Sequence, residues 1–509
     1  MIALVTLTLR DGRAFRAATD PLTVPTRLGT PVTEYAYDGV LVGGVEFVEQ
    51  LDVFTLDAVA GLQQTQIEIM TTTAFAELAD DWLHLLAAEV EIALLASTGG
   101  FYEDRRVLLS GARVQGLSIN GLGEISSFVA ESLPPPKAGT VGDDARDLGN
   151  EWPDPLADVA AGEMSSLVGA KHVWVVGRCY GVPAYKVGEV GGNNRLVLCG
   201  HRLADTGSIT IYEDGVSAGS RTPANTTNSA GAYGYHDHAT DYAASDGGYT
   251  WDATRGGVAL ATDPNVAVLG AAEVLRWLLV QSGAAIDWSR QEETLQRLGG
   301  WEVGLWADQE TDALDLIRAN LVPILPLIEV SGSGSGLWYA LSDPHLRDVE
   351  LRLVAGQQLV SRDGGITYSD PDAIRNRFVL EYAYDAQTRE YGATATVDAD
   401  NDVLCYLSAQ LFGDLPDDTL RTTCTWDEAT AYRILRARAA RYALPRRLLA
   451  YYVADDTISA MRAGMVVTLE DEDSGLSEQR AVVVEVRHTG GTGWVRFALL
   501  ERSPSSREL

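Results

Sequence analysis

The sequence predicts a mainly β, multidomain protein with α+β elements, in which two related small β-barrels flank an inserted β domain and a small helical domain. Three observations predict it. Apolar residues alternate with polar ones in short runs bounded by Gly, Asp and Asn along most of the chain, the pattern of half-buried strands. Helical periodicity is confined to a few stretches. Two segments more than three hundred residues apart read alike: EDRRVLLSGARVQGLSINGLGEISSFVAESL (103–133) and SEQRAVVVEVRHTGGTGWVRFALLE (477–501) each run from charged turn to apolar strand, Gly-containing turn and alternating strand. Three copies of a chain with two such units supply the six positions of a ring, a geometry suited to an adaptor.

Residues 1–133 read as the first barrel with one helix. Val5, Leu7 and Leu9 alternate with Thr6 and Thr8 before Asp11-Gly12, a hairpin signal. Strands follow in GVEFVEQLDVFTL, TQIEIM and AEVEIALLA. Between the last two, Thr73 as cap and Phe75, Leu78, Trp82 and Leu85 at helical spacing predict a helix. Pro134, Pro135 and Pro136 end this unit, and 134–165, with Trp152, Pro153 and Pro155, reads as an extended arm or linker. Residues 166–260 form an inserted, loop-rich β domain with strands in KHVWVVGRCY, RLVLCGH and SITIYEDG and a Gly/Asn/Ser/Thr-rich surface loop over 214–249.

Residues 261–336 read as a helical or mixed domain. Pro264 is placed at a helix start, with Val268, Ala271, Ala272, Leu275, Leu278 and Leu279 as the apolar face and Gly283 as the stop. DALDLIRANL follows with Thr311 as cap, and SGSGSG (331–336) is read as a flexible turn. Residues 337–509 are assigned to the second barrel. They carry the strand RFVLEYAY, an Asp427-capped helix ended by Pro445, and a last β unit from Arg446 through the Gly464 turn into MVVTLED.

Composition narrows the function. The 509 residues carry 71 acidic and 39 basic side chains, a formal charge of −32. Nucleic-acid binding depends on cations that replace phosphate counterions, so this chain repels duplex DNA; a conduit through which DNA slides without sticking is one use of such a surface. The four cysteines show no CxxC spacing and exclude a disulfide scaffold. The alternating N-terminus and the absence of an apolar run of membrane-spanning length predict a soluble protein without membrane insertion, made in a cytoplasm.

The order of motifs in the second half resembles the trimeric baseplate hubs of long-tailed phages and gene transfer agents. An arginine-rich amphipathic helix is followed by PRRLLAYYVADDTISAMRAGMVVTLEDEDSG and a closing strand pair. GVPAYKVGE, LVLCGHRL and SITIYEDG are similar to the inserted β domain of such hubs, and AAEVLRWLLVQSGAAID to their helical domain. The resemblance implies a virion protein at the tail tip: a homotrimer adapting a sixfold tail tube to a threefold tip and lining part of the DNA-ejection channel. Its implied partners are the tail tube or distal tail protein, tail-tip or fibre proteins, and DNA in transit without specific binding. The alternative is a tail-tip adhesin that holds carbohydrate through Trp174, Tyr180, Tyr212 and Tyr233.

Candidate sites are few. Arg433, Arg436, Arg438, Arg441, Arg446 and Arg447 fall within fifteen residues. On a helix, Arg433 and Arg441 project away from the apolar side of Tyr432, Leu435, Ala439 and Tyr442, with Arg436 and Arg438 flanking it. They read as a basic interface for acidic protein surface, or as a solvated face. His236-Asp237-His238 with Asp241 in the polar loop, joined by Cys179, Cys199 and His201, forms a weak metal candidate, and no cofactor is predicted. Asp398, Asp400 and Asp402 lack the Gly and Glu of an EF-hand, since Val403 stands at the sixth position, and read as an acidic hairpin turn. HExxH, GxSxG and a Walker lysine loop are missing, so no enzyme is predicted.

Overall fold

The structure, a computed structural model, describes residues 2–9, 11–27, 33–39, 41, 47–50, 64–68, 70, 88–95, 100–119, 125–131, 140–141, 173–190, 192–199, 203, 209–213, 216–228, 231–238, 249–253, 259–260, 263–267, 270–307, 311–332, 336–368, 371–385, 389–489 and 492–499. The fold is mainly β with few helices. Most of the linker 134–165, including Trp152, lies outside the described residues, as does the helix predicted from Thr73 to Leu85.

Near each end of the chain stands an eight-stranded sheet. In the first, Ile2–Thr8 pairs with Ala14–Ala18 across the predicted Asp11-Gly12 turn, and Leu4, Val5 and Leu7 are buried. The two sheets share a unit. The N-terminal one orders four neighbouring strands Glu89–Leu95, Arg106–Ile119, Ile125–Glu131 and Gln64–Glu68; the C-terminal one orders Val466–Asp471, Leu476–Thr489, Thr492–Leu499 and Arg447–Val453. In both, a short strand leads through a single 3₁₀ turn (Tyr102–Asp104, Glu472–Ser474) into a strand of 14 residues, which folds back onto the next. Each 14-residue strand gives its first half to the strand before it and its second half to the strand after it, with a register shift along the way. One strand connects the sheets: Phe47–Gln50 pairs antiparallel with Glu485–His488. It takes the edge that Val466–Asp471, whose partners end at Val482, leaves open.

The inserted region forms a seven-stranded sheet with its own core of Val182, Leu196, Leu198, Ile211 and Trp251. It joins the central body through Trp174–Gly177, which pairs antiparallel with Gly304–Ala307. Gly304 is obligatory there, since a Cβ on it would overlap the Arg178 carbonyl.

Helices Ala271–Ser282 and Trp288–Arg297 dominate the central body. The first buries Ala271, Val274, Leu275, Leu278 and Leu279, close to the predicted face, and ends at Gly283 in the left-handed conformation (φ 63°). Pro264 does not start it: Pro264 lies in the strand Asp263–Ala267, and the helix begins at Ala271 after the Gly270 cap. The next helical stretch is capped by Asp312, not Thr311, because the Asp312 carboxylate accepts from the Leu314 and Asp315 amides (2.8 and 3.3 Å). Its second half, Ile317–Leu321, is wound as a π-helix.

The range 337–509 divides between two cores. The sheet of Phe378–Asp385, Glu390–Val397 and Asp418–Arg421 and the helix Glu428–Tyr442 share their core with the helical region: Phe378, Leu380, Ile434 and Leu435 pack in one cluster with Leu275, Leu278 and Leu321. The closing sheet has a separate core around Leu449, Val467, Leu469, Val495 and Phe497. The hairpin Leu327–Gly332/Gly336–Leu341 lies between these bodies and is apolar on both faces. Leu327, Leu337, Tyr339 and Leu341 face the central core, whereas Ile328, Val330, Trp338 and Ala340 face Val466, Val482 and Val484 of the closing sheet. The first and last residues of SGSGSG belong to its strands, and 333–335 lie outside the described residues.

Candidate interaction surfaces

The arginine-rich helix Glu428–Tyr442 starts where the Asp427 carboxylate accepts from the Thr430 amide (2.7 Å) and ends before Pro445. Its arginines do not form one surface. Arg438 is buried and grips Asp418 with two nitrogens (2.6–2.9 Å) while donating to the Pro323 carbonyl (3.1 Å). Arg441 is buried, contrary to its projected outward position, because the helix buries Thr430, Ile434 and Arg438 on the same side; the guanidinium lies over the Tyr442 ring at 5.2 Å. Arg446 is buried and donates to the Arg441 carbonyl (3.1 Å); burial, with the Arg441 cation, pushes it down to about 9. Arg447 is half-buried at the start of a closing-sheet strand. Only Arg433 and Arg436 of the six are exposed, and Arg433 donates to the Gly300 carbonyl (2.7 Å). Thus three of the six arginines, Arg438, Arg441 and Arg446, are enclosed within the chain.

The metal candidates form no site among the described residues. His236 and His238 lie in the regular strand Gly231–His238, opposite Leu196 and Asn194, and not in a loop; alternation of Tyr233 and Tyr235 with small residues suits a strand. Cys179 and Cys199 are buried, and burial raises the Cys179 thiol well above its ordinary value. Asp241 and His201 lie outside the described residues, and among the described residues no three His, Cys, Asp or Glu side chains converge as a metal site. Asp398, Asp400 and Asp402 form a strand-to-helix turn, not a hairpin. The Asp402 carboxylate accepts from the Leu404 and Cys405 amides (2.9 and 3.1 Å), and Asp398 accepts from the Asp400 amide.

Of the four aromatic residues named for carbohydrate, Trp174, Tyr180 and Tyr212 make internal contacts. Trp174 stacks on Trp277 (5.9 Å between rings), and Tyr180 lies against Trp426 (5.3 Å). Tyr212 donates to the buried Asp252 carboxylate (2.8 Å), which also accepts from the Gly181 amide (3.0 Å). Burial and that hydrogen bond raise the Tyr212 phenol to about 12, and burial raises Asp252 above the usual carboxylate value. Tyr233 faces Thr226 in the ladder.

Two features had weak sequence signals. The pairing of Phe47–Gln50 with the closing sheet is invisible in a run of alternating residues, which specifies a strand but not its neighbour. The helix Val403–Phe412 follows Asp402, and its run VLCYLSAQLF is too uniformly apolar for a one-sided pattern.

No family model and no curated protein matches the chain. Among solved structures it is similar to a protein of the virion of a native gene transfer agent particle, with 13% identity over 66% of this chain and 87% of the other and a TM-score of 0.44. A prophage tail protein from Listeria monocytogenes EGD-e matches at 8% identity over 93% of each chain (TM-score 0.38). The 43 kDa tail protein of prophage MuSo2 from Shewanella oneidensis matches at 8% identity over 98% and 97% (TM-score 0.39). All three are tail or virion proteins by name. Among the described residues of the present chain, no helix is long and apolar enough to cross a membrane.

Proposed function

We infer that the chain is a structural protein of a phage-type tail tip, a homotrimeric baseplate hub that adapts a sixfold tube to a threefold tip and surrounds part of the DNA-ejection path. The observation that carries this reading is the repeated four-strand unit, with the same neighbour order and the same 14-residue strand in each sheet. Two such units in one chain, held together by Phe47–Gln50, give three copies six similar positions around an axis. The charge of −32 supports passage of DNA without retention. Docked above and below would be a tail tube or distal tail protein and tip or fibre proteins, with Arg433 and Arg436 as the exposed part of the arginine-rich helix available to acidic neighbours. The adhesin alternative loses support, since Trp174, Tyr180 and Tyr212 are committed to internal contacts.

The test is the solution mass of the purified protein together with class-averaged electron images down the symmetry axis. Trimers with six similar lobes are the expected result. Particles lacking both threefold and sixfold order at this protein would overturn the reading.

A further inference from the structure

The helix Val403–Phe412 has two apolar faces and uses one. Leu404, Cys405 and Ser408 are buried against the central body. On the outside, Val403, Leu407 and Leu411 follow each other at intervals of four, beside Tyr406 and Phe412, with exposures of 51, 42, 69, 50 and 40%. These five are over a third of the large apolar side chains exposed among the described residues, gathered on ten residues. Scattered exposed apolar residues are ordinary; a contiguous strip of this kind marks an interaction site.

Charge selects the occupant. Residues 391–420 contain six aspartates and no lysine, arginine or histidine. Two are neutralised, Asp417 by Arg377 (2.8 Å) and Asp418 by Arg438. Asp398, Asp400 and Asp402 at one end of the strip and Asp414 at the other make no ion pair among the described residues. Two copies meeting strip to strip would bring these carboxylates together, which opposes a twofold contact. An anionic membrane is disfavoured for the same reason, since surface-lying helices rely on basic flanks. We propose that this strip docks a segment of a different protein, an amphipathic helix whose apolar face is bordered at both ends by lysine or arginine over a span of about 15 Å. The proposal stands on this surface alone and does not depend on the tail reading.

The test uses two fluorescent amphipathic peptides with the same Leu strip, one flanked by lysines and one by glutamates, titrated with the purified chain. Saturable binding of the Lys-flanked peptide is expected, weakening with added salt. It should fall by about tenfold or more in Leu407→Ser/Leu411→Ser, which removes exposed apolar area from the strip. Val280→Ser, an exposed apolar site on another helix, should bind like the parent, and circular dichroism verifies that both variants fold. Failure of the Lys-flanked peptide to bind, equal binding of both peptides, or indifference to the double substitution would overturn the proposal. So would self-association abolished by the double substitution, which would assign the strip to a second copy, or strip-dependent binding to phosphatidylserine vesicles.

Discussion

Glu329 is a carboxylate inside the two-faced hairpin. It is 5% exposed and takes two hydrogen bonds from Arg318 (2.8 Å each) and one from the buried Tyr339 hydroxyl (2.9 Å); Arg318 also pairs with Asp315 (3.4 Å) and reaches solvent. Glu329→Ala should lower unfolding free energy by about 2 kcal/mol in urea titrations, most of it from the buried Tyr339 phenol left without its acceptor. Asp252 makes the opposite kind of contribution. Burial raises its folded value, so the folded chain holds the proton more tightly than the unfolded one; that advantage is complete below the ordinary carboxylate value and disappears as pH rises through the raised one. The stability of Asp252→Asn relative to the parent should therefore climb with pH across this window and then level off, followed by thermal unfolding at successive pH values. Neither residue was legible in advance, because with 71 acidic side chains no sequence signal marks the few that are enclosed.

At the scale of elements, legibility followed local chemistry. The Asp11-Gly12 hairpin, the Asp427 cap, the Gly283 stop and the strand RFVLEYAY are set by residues adjacent in sequence, and all stand where those residues indicate. Pro264 and Thr311 misled for a shared reason. A proline suits an edge strand as well as a first helical turn, and a threonine beside an aspartate loses the cap to the carboxylate. Helix Trp288–Arg297 went unread because its buried contacts include Gln291 and Thr294, polar residues that a hydrophobic pattern omits. The Gln291 side-chain oxygen accepts from the Tyr339 amide (2.8 Å). The junction at Gly304 likewise depends on a distant backbone. Gly304→Ala should cost about 2 kcal/mol or more and open the inserted sheet to limited proteolysis ahead of the central body.

Over the whole molecule, the likeness of the two end sheets was foreseen from two similar stretches of sequence, and the common strand order extends it to four strands in each sheet. The sharing of 337–509 between two cores was not foreseeable, since the core joining Phe378 and Ile434 to Leu275 links residues remote in the chain. The cross-sheet strand makes a further claim on the molecule as a unit. Val48→Pro removes a ladder donor from the four-residue pairing with Glu485–His488 and should speed hydrogen exchange of those amides while leaving exchange at Val466–Asp471 unchanged. The hairpin between the central core and the closing sheet has one more consequence. An ordinary surface strand can change every second residue at little cost, and such freedom is how neighbouring parts of a protein diverge independently. Here odd positions answer to one body and even positions to the other, so neither body can be redrawn without the consent of its neighbour. The segment thus constrains both bodies at once, and swapping either body between related chains would have to carry this hairpin, with both its faces, as part of the graft.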